Sequence, residues 1–325
     1  MRRRAPVLGF ACAGALVLAA VAIAGNGGTL PPSAHSPNAH RIRDAYFFVL
    51  VFAGFVFVGV EGALVTLIVK YRRGKRARHA DGLQIHGSTK LEILWTVVPV
   101  MILAAIGVFI FAKLPGIANV PSASAAESTE IKVVGRQFYW MFRYPNGAVS
   151  IGTMMAPADN VVTEEVVSPP TDVIHSWWVP ELGGKIDAIP NRVNRTWFNA
   201  PVGDYAARCS DLCGIQHARM TAQVKVVPRA QYEQFIAERK ANPTSAALGK
   251  EEFQHVCAVC HKLATDYVGP SLGTNPLLAD AKGLKAILRR GVGNMPAVGS
   301  GWTQDQIDAL VAYTKTLEKK GASGS

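Results

Sequence analysis

The chain has 325 residues, of which 49% are hydrophobic, and a formal net charge of +11. That length allows two small globular domains and membrane segments, because single domains usually hold about 100–200 residues. Much of the positive charge lies beside apolar segments, in Met1–Arg4 and Lys70–Arg78, which is typical of membrane topology signals. The charge therefore does not indicate a nucleic-acid partner, and five cysteines are too few for a disulfide scaffold.

The N-terminus has the pattern of an export signal. A basic start precedes an apolar, small-residue stretch, and Ala-Ile-Ala at 22–24 stands before Gly25 like a signal-peptidase site. We predict a secretory signal over residues 1–25, with an uncleaved anchor as the alternative.

Two further apolar stretches predict a transmembrane hairpin within residues 41–114. Ala45–Val69 carries the single charge of Glu61, and Ile93–Ala112 carries none. At 1.5 Å per residue, helices over about 45–69 and 91–112 can each cross a hydrocarbon core of ~30 Å. The basic run between them places their connection in the cytoplasm by the positive-inside rule, so everything that follows the hairpin lies outside.

The extramembrane part reads as two domains of different class. Residues 127–228 contain short alternating segments separated by turn signals, which predicts a small β-sandwich or barrel. Residues 229–246 form a linker with a helix at Gln231–Lys240, and residues 247–321 are helical. Thr303 and Gln306 form a capping box before the last helix. The predicted strands are Ile131–Phe138, Val161–Val167, Thr196–Ala200, Asp204–Arg208 and Thr221–Val227.

A cluster of soft ligands lies between two of the predicted strands. Thiolate, imidazole and thioether groups favour copper, and a mononuclear blue-copper site needs only one cysteine, so a second one is surplus unless two metals share the thiolates. His175 and His217 are the only histidines between the hairpin and the C-terminal domain. A disulfide, a tetrahedral zinc site and coincidence are the alternatives, but zinc leaves Met220 unexplained and a disulfide leaves both histidines unexplained. The motif reads Cys209-Ser-Asp-Leu-Cys213-Gly-Ile-Gln-His217-Ala-Arg-Met220.

From about Ala45 to Pro228 the chain resembles subunit II of the haem–copper oxidases. The resemblance implies a cupredoxin fold that holds the dinuclear copper centre CuA, and a magnesium ion at the border with subunit I. Asp211 stands where the family usually has Glu, so its shorter side chain puts the magnesium role in doubt. Three segments carry the likeness: Leu91–Pro99, His175–Pro190 and Cys209–Met220. By this resemblance the copper ligands are His175, Cys209, Cys213, His217 and Met220, with the backbone carbonyl of Asp211.

Two other positions acquire meaning from this resemblance. The segment Gly135–Trp140 contains the electron-path aromatics Phe138, Tyr139 and Trp140, but Phe138 replaces the tryptophan at which the family receives electrons from soluble cytochrome c. Glu92 matches the mouth of a proton-uptake path. Its alternative reading is an acid that is stabilised at a helix N-terminus.

A second motif, Cys257-Ala-Val-Cys260-His261, is the attachment sequence of a c-type haem, in which two thiols bind the vinyl groups and the histidine ligates iron. A redox Cys-x-x-Cys site is the alternative, but it would need a βαβ setting. Met295 is the sixth ligand by elimination, because His255 is too close to Cys257 to reach the opposite face of the ring. The region is similar to small class I cytochromes c.

Together these resemblances imply subunit II of a caa3-type cytochrome c oxidase in a bacterial membrane. Its expected partners are subunits I and III, with cytochrome c or a quinol–cytochrome c reductase as donor. Electrons would pass from covalent haem c through CuA to subunit I, where oxygen reduction is coupled to proton translocation. The linker would tether the haem near the copper at an effective concentration on the order of millimolar. The alternatives are a subunit of a CuA-containing nitric oxide reductase and a stand-alone membrane electron carrier.

Overall fold

The structure, a computed structural model, describes residues 30–71, 84, 87–122, 124, 127–273, 275–278 and 280–322. It divides into two units, one of residues 40–118 and the other of the remaining residues. The predicted signal over residues 1–25 and most of the basic run after Lys70 lie outside the described residues.

The first unit is a helical hairpin. Helix α1 spans Pro37–Tyr71, α2 spans Thr89–Lys113, and a single turn, α3, spans Pro115–Ala118. Both long helices are apolar enough to cross a membrane, as predicted. They pair through stacked rings of Phe48 and Phe109, whose centroids are 4.0 Å apart, and Lys113 Nζ donates to Asp44 Oδ2 at 2.8 Å.

Ten strands form a sandwich of two five-stranded sheets. The first sheet has the order β3-β2-β1-β5-β8 and the second has the order β4-β10-β9-β6-β7. Three of the five predicted segments match strands closely, and the other two, Ile131–Phe138 and Thr196–Ala200, overlap β1 and β8 but extend two residues beyond their ends. The strands are β1 Ser128–Arg136, β2 Tyr139–Arg143, β3 Val149–Ile151, β4 Thr153–Pro157, β5 Val161–Val167, β6 His175–Trp178, β7 Ile186–Ala188, β8 Asn194–Phe198, β9 Gly203–Cys209 and β10 Thr221–Val227.

Strand β2 contributes to two cores at once. Trp140 and Phe142 lie between the sheets, where both rings pack against Trp177 at centroid distances of 4.9 and 5.5 Å. Tyr139 and Met141 point to the other face and are equally buried, because the C-terminal domain covers it. A strand buried on both faces lacks polar alternation, which is why the sequence pattern did not reveal it.

The C-terminal domain is helical, as predicted, and follows the linker helix α4, Arg229–Ala241. It contains α5 Ala246–Glu252, α6 Ala281–Arg290 and α7 Gln304–Ala322. The capping box is confirmed, since Thr303 Oγ1 accepts from the Gln306 amide and Gln306 Oε1 accepts from the Thr303 amide. Helices α5 and α7 cross closely at Gly249, where a Cβ would lie 2.0 Å from the carbonyl oxygen of Ala309.

The sandwich and the C-terminal domain share a continuous apolar core. Tyr139 and Met141 of β2 pack with Trp302 and Ile307 of the C-terminal domain. The buried Tyr139 hydroxyl accepts from Trp302 Nε1 at 2.8 Å and donates to the carbonyl of Val298 at 2.8 Å. The two domains are therefore packed against each other and not merely linked through the chain.

Candidate copper and haem sites

The end of the sandwich gathers the predicted copper ligands. His175 begins β6, Cys209 ends β9, and the loop Cys209–Met220, here called the ligand loop, leads into β10. The pairing of Trp177 with Cys209 places β6 beside β9, so two strand ends and one loop converge. Strand pairing thus explains why His175 lies close to a loop more than thirty residues further on, which the local sequence does not show.

The ligand atoms lie close together. One ligand atom from each of His175, Cys209 and Cys213 falls within 4.8 Å of the others. Cys213 Sγ is 3.8 Å from Cys209 Sγ, 3.6 Å from His217 Nδ1 and 3.8 Å from Met220 Sδ. The carbonyl oxygen of Asp211 lies 3.2 Å from Cys209 Sγ. The structure therefore brings all six residues of the predicted set together.

The donor set fits a metal better than the alternatives. His175 Nδ1 is buried without a hydrogen-bond partner, as expected of an atom that binds metal. A separation of 3.8 Å between the two sulfurs is far beyond the ~2.05 Å of a disulfide. The thioether of Met220 is fully buried beside Cys213, which a tetrahedral zinc site would leave without a role.

Asp172 is a contributor that the sequence reasoning missed. Its Oδ1 lies 3.2 Å from His175 Nε2, which fixes the imidazole orientation and leaves Nδ1 for the metal. Burial alone would lower the pKa of His175, but the hydrogen bond to Asp172 and the neighbouring Cys209 sulfur outweigh it and raise the pKa. The only signal in the sequence was an acid three residues before a ligand histidine.

The two thiols are electrostatically coupled. Their contact lowers the pKa of Cys209, and the neighbouring His175 imidazole also lowers it, against the opposing effect of burial. The same contact and burial raise the pKa of Cys213. A cation that binds both sulfurs displaces the protons that they carry.

A second site lies in the C-terminal domain as a cavity of about 760 Å³. Its lining includes all four residues predicted for haem, Cys257, Cys260, His261 and Met295, and is otherwise mostly aliphatic. His261 Nδ1 lies 2.8 Å from the carbonyl of Pro270, so Nδ1 donates and Nε2 is the free ligand atom. Gly269 permits this arrangement, since a Cβ there would lie 2.3 Å from the imidazole.

The thiols of this motif do not resemble those of a redox dithiol. Burial, reinforced by the carboxylate of Glu252, raises the pKa of Cys257 to about 12. Reactive Cys-x-x-Cys sites lower a thiol pKa instead. The environment therefore fits a cysteine that is held against an apolar ligand.

The aromatic segment divides between the two sites. Phe138 lines the cavity, and Tyr139 bonds to the C-terminal domain through its hydroxyl. Trp140 points the opposite way, with its ring centroid 6.0 Å from that of His175. Trp302, the partner of Tyr139, was not singled out by sequence reasoning. Glu92 lies in the first turn of α2, and its place in a proton path stays a prediction.

A sandwich with a cluster of copper-type ligands, a helical domain with a haem-attachment motif and two membrane-crossing helices together define a membrane-anchored electron-transfer protein. Three family models match the chain: cytochrome c oxidase subunit II transmembrane domain over residues 25–112, cytochrome c oxidase subunit II periplasmic domain over residues 153–227, and cytochrome c oxidase, cbb3-type, subunit III over residues 244–313.

Relatives span nearly the whole chain. Cytochrome c oxidase subunit 2 of Alkalihalophilus pseudofirmus is 30% identical, covering 87% of this chain and 89% of the relative. The subunit of Cereibacter sphaeroides is 33% identical, covering 74% and 93%. The crystal structure of the periplasmic domain of the Bradyrhizobium japonicum subunit is 32% identical and covers 38% of this chain and 98% of that one, with a TM-score of 0.35.

The chain belongs to the cytochrome c oxidase subunit 2 family. It is subunit II of a haem–copper oxidase, with a cupredoxin domain and a fused C-terminal cytochrome c domain. It is a membrane protein whose copper- and haem-binding domains lie on the outer side, and its partner is subunit I. These matches favour an oxidase over a nitric oxide reductase or a stand-alone carrier.

Proposed function

We propose that electrons reach this subunit at the haem site of the C-terminal domain and leave through the copper site toward subunit I, where oxygen is reduced with proton translocation. The observation that carries the proposal is the composition of the cavity wall. Gln137, Phe138, Gly214 and Ile215 of the sandwich line the same cavity as the haem-attachment motif. Electrons therefore need no diffusing carrier between the two sites.

When bound, a haem and a dinuclear copper centre would each supply a one-electron carrier. Cys257 and Cys260 would attach the haem covalently, and His261 and Met295 would ligate its iron. Met ligation favours the ferrous form and raises the potential. The copper ions would be held by Cys209 and Cys213, with His175, His217, Met220 and the Asp211 carbonyl completing the set. His175, Cys209, Cys213 and Met220 are buried, which limits the access of water to the copper site.

The Asp211 side chain is the weakest part of the family pattern. Its contact with Cys209 is made by the backbone carbonyl, so copper ligation does not depend on the carboxylate. We propose that the Asp211 carboxylate contributes less to binding a magnesium ion at the border with subunit I than the longer Glu does in the relatives.

The donor side of the proposal follows from Phe138. Its ring lies against Gly214, whose Cβ position would be 2.9 Å from the ring, and it lines the cavity. The half-buried ring therefore shares a cavity wall with the haem-attachment motif. We propose that cytochrome c, or a quinol–cytochrome c reductase, delivers electrons to the C-terminal domain, and that subunit III completes the complex.

The test removes the haem and leaves the copper. We expect Cys257→Ser with Cys260→Ser to keep the electron paramagnetic resonance signal of a dinuclear copper centre in the purified complex and to slow oxygen consumption with the natural donor strongly. Adding Phe138→Trp should restore part of the rate with soluble cytochrome c, because the copper site then regains an aromatic contact for an external donor.

The matched control is Met295→His, which keeps the haem attached but lowers its potential because the thioether favours ferrous iron. This variant distinguishes the effect of losing the haem from the effect of changing the driving force for electron transfer. A haemless double variant that consumes oxygen at the wild-type rate with that donor would show that the serial route is wrong.

A further inference from the structure

Gln137 forms hydrogen bonds that lead to both parts of the copper site, the ligand loop and His175 of β6. Its side-chain Nε2 donates to the carbonyl oxygen of Cys213 at 2.7 Å, and its backbone N–H donates to Asp172 Oδ2 at 3.2 Å. Asp172 in turn holds His175 through its other oxygen. One residue is thus tied directly to the ligand loop and, through one carboxylate, to the ligand on β6.

The same residue forms part of the cavity wall. Gln137 and Phe138 line the cavity beside the haem-attachment motif, together with Gly214 and Ile215 of the ligand loop. Met and His ligands of the C-terminal domain therefore share a cavity with a side chain that reaches a copper-ligand residue in one hydrogen bond.

Gly214 makes this contact tight. Its φ of +134° lies where L side chains are strained, and a Cβ there would be 2.9 Å from Phe138 and 3.1 Å from Gln137 Nε2. The ligand loop consequently presents bare backbone to Gln137, with no side chain between the amide and the carbonyl of Cys213.

Other contacts between the two domains serve attachment. Tyr139 bonds to Val298 and Trp302, and Arg136 Nη1 donates to Ser300 Oγ at 3.2 Å. Arg219 lies over the ring of Tyr267 at 5.2 Å. Among the contacts that the described residues make, these hold the domains together without joining the cavity wall to the backbone of a copper-ligand residue.

We propose that Gln137 is the positioning residue for electron transfer between the two sites, its side-chain amide coupling the cavity wall to the Cys213 carbonyl. This inference rests on the serial route proposed above. The step moves one electron from the haem site, which is oxidised, to the copper site, which is reduced; no bond forms or breaks and no proton is transferred. The hydrogen bond holds the Gln137 side of the cavity wall at a fixed position relative to the ligand loop.

The test compares Gln137→Met with wild type in the purified complex. Methionine keeps the length and unbranched shape of the side chain but donates no hydrogen bond. A ruthenium photoreductant reduces the haem in a flash, and the absorbance of both centres reports the transfer. We expect the transfer rate to fall about tenfold, because small losses of positioning cost rate steeply. The copper resonance signal and both reduction potentials should not change.

The control is Gln223→Met on the exposed face of β10, which should leave the rate and the spectra at wild-type values. An unchanged transfer rate in Gln137→Met overturns the inference. A changed copper signal in that variant also overturns it, because the side chain would then maintain the copper site itself. Absence of flash-induced transfer in the wild type would instead contradict the serial route.

Discussion

The copper site and the haem site lie side by side but are built in opposite ways. The copper ligands project from strand ends and one loop of a sandwich whose own core includes Trp140, Phe142 and Trp177. The haem site is a cavity of about 760 Å³ that takes the place where a helical domain of this size would have its core. The copper ligands are thus held by a sandwich with a complete core of its own, whereas the interior of the helical domain is shaped to be filled by a cofactor.

The difference extends to how each domain is supported. The sandwich has ten paired strands, whereas the C-terminal domain has fewer than about 80 residues, a size at which a core alone supplies little stability. The core of the C-terminal domain is completed by Tyr139 and Met141 of β2. The stability of the helical domain therefore depends on the sandwich and on the haem more than the stability of the sandwich depends on the helical domain.

The largest expected effect is loss of the C-terminal fold without haem. Without haem, a cavity of about 760 Å³ leaves its largely aliphatic lining without packing partners, which should cost more than the ~2–5 kcal/mol of a single large-to-small core substitution. In Cys257→Ser with Cys260→Ser, hydrogen exchange should show amides of α6 and α7 unprotected while those of β9 and β10 keep their protection. Equal protection in both domains would contradict the comparison.

A smaller effect is expected at the shared core. Tyr139→Phe removes one donor and one acceptor from a buried network and leaves Trp302 Nε1 without its partner, which should cost about 1–3 kcal/mol. Thermal unfolding should show the C-terminal domain melting earlier. Tyr144→Phe is the matched control, because its hydroxyl bonds to Ser150 and the Met155 amide within the sandwich. If both variants lower the same transition equally, the domains unfold as one unit.

The smallest effect is the change of stability over one pH unit. Burial, with a contribution from the neighbouring Glu251 carboxylate, raises the pKa of Glu252 to about 9 against the opposing effect of Gln306. The folded state thus keeps a proton that the unfolded state has lost, and stability falls as pH rises between about 4.5 and 9, by at most about 1.4 kcal/mol per unit. Glu252→Gln should flatten this slope in denaturant titrations at several pH values. An unchanged slope would mean that another group titrates.

The sequence predicted the parts of this molecule that have local signals. Apolar length predicted the hairpin, alternation predicted strands such as β5 and β10, and ligand chemistry with spacing predicted the clustered residues of both sites. It did not predict β2, because a strand buried on both faces shows no alternation. Asp172 and Gln137 were missed for a different reason: their roles depend on strand pairing and loop packing that bring distant residues together.

The linker helix α4 carries a further consequence. Tyr232 packs with Tyr144 of the sandwich at a ring distance of 6.1 Å, and Arg239 pairs with Glu251, whose Oε2 also accepts from the Ile151 amide of β3. The connection between the domains is therefore folded along its length. The conformational entropy of the linker is lost during folding and not again at each electron transfer. Electron exchange between the two sites becomes a first-order process without a search step, so its rate should depend little on solvent viscosity or ionic strength.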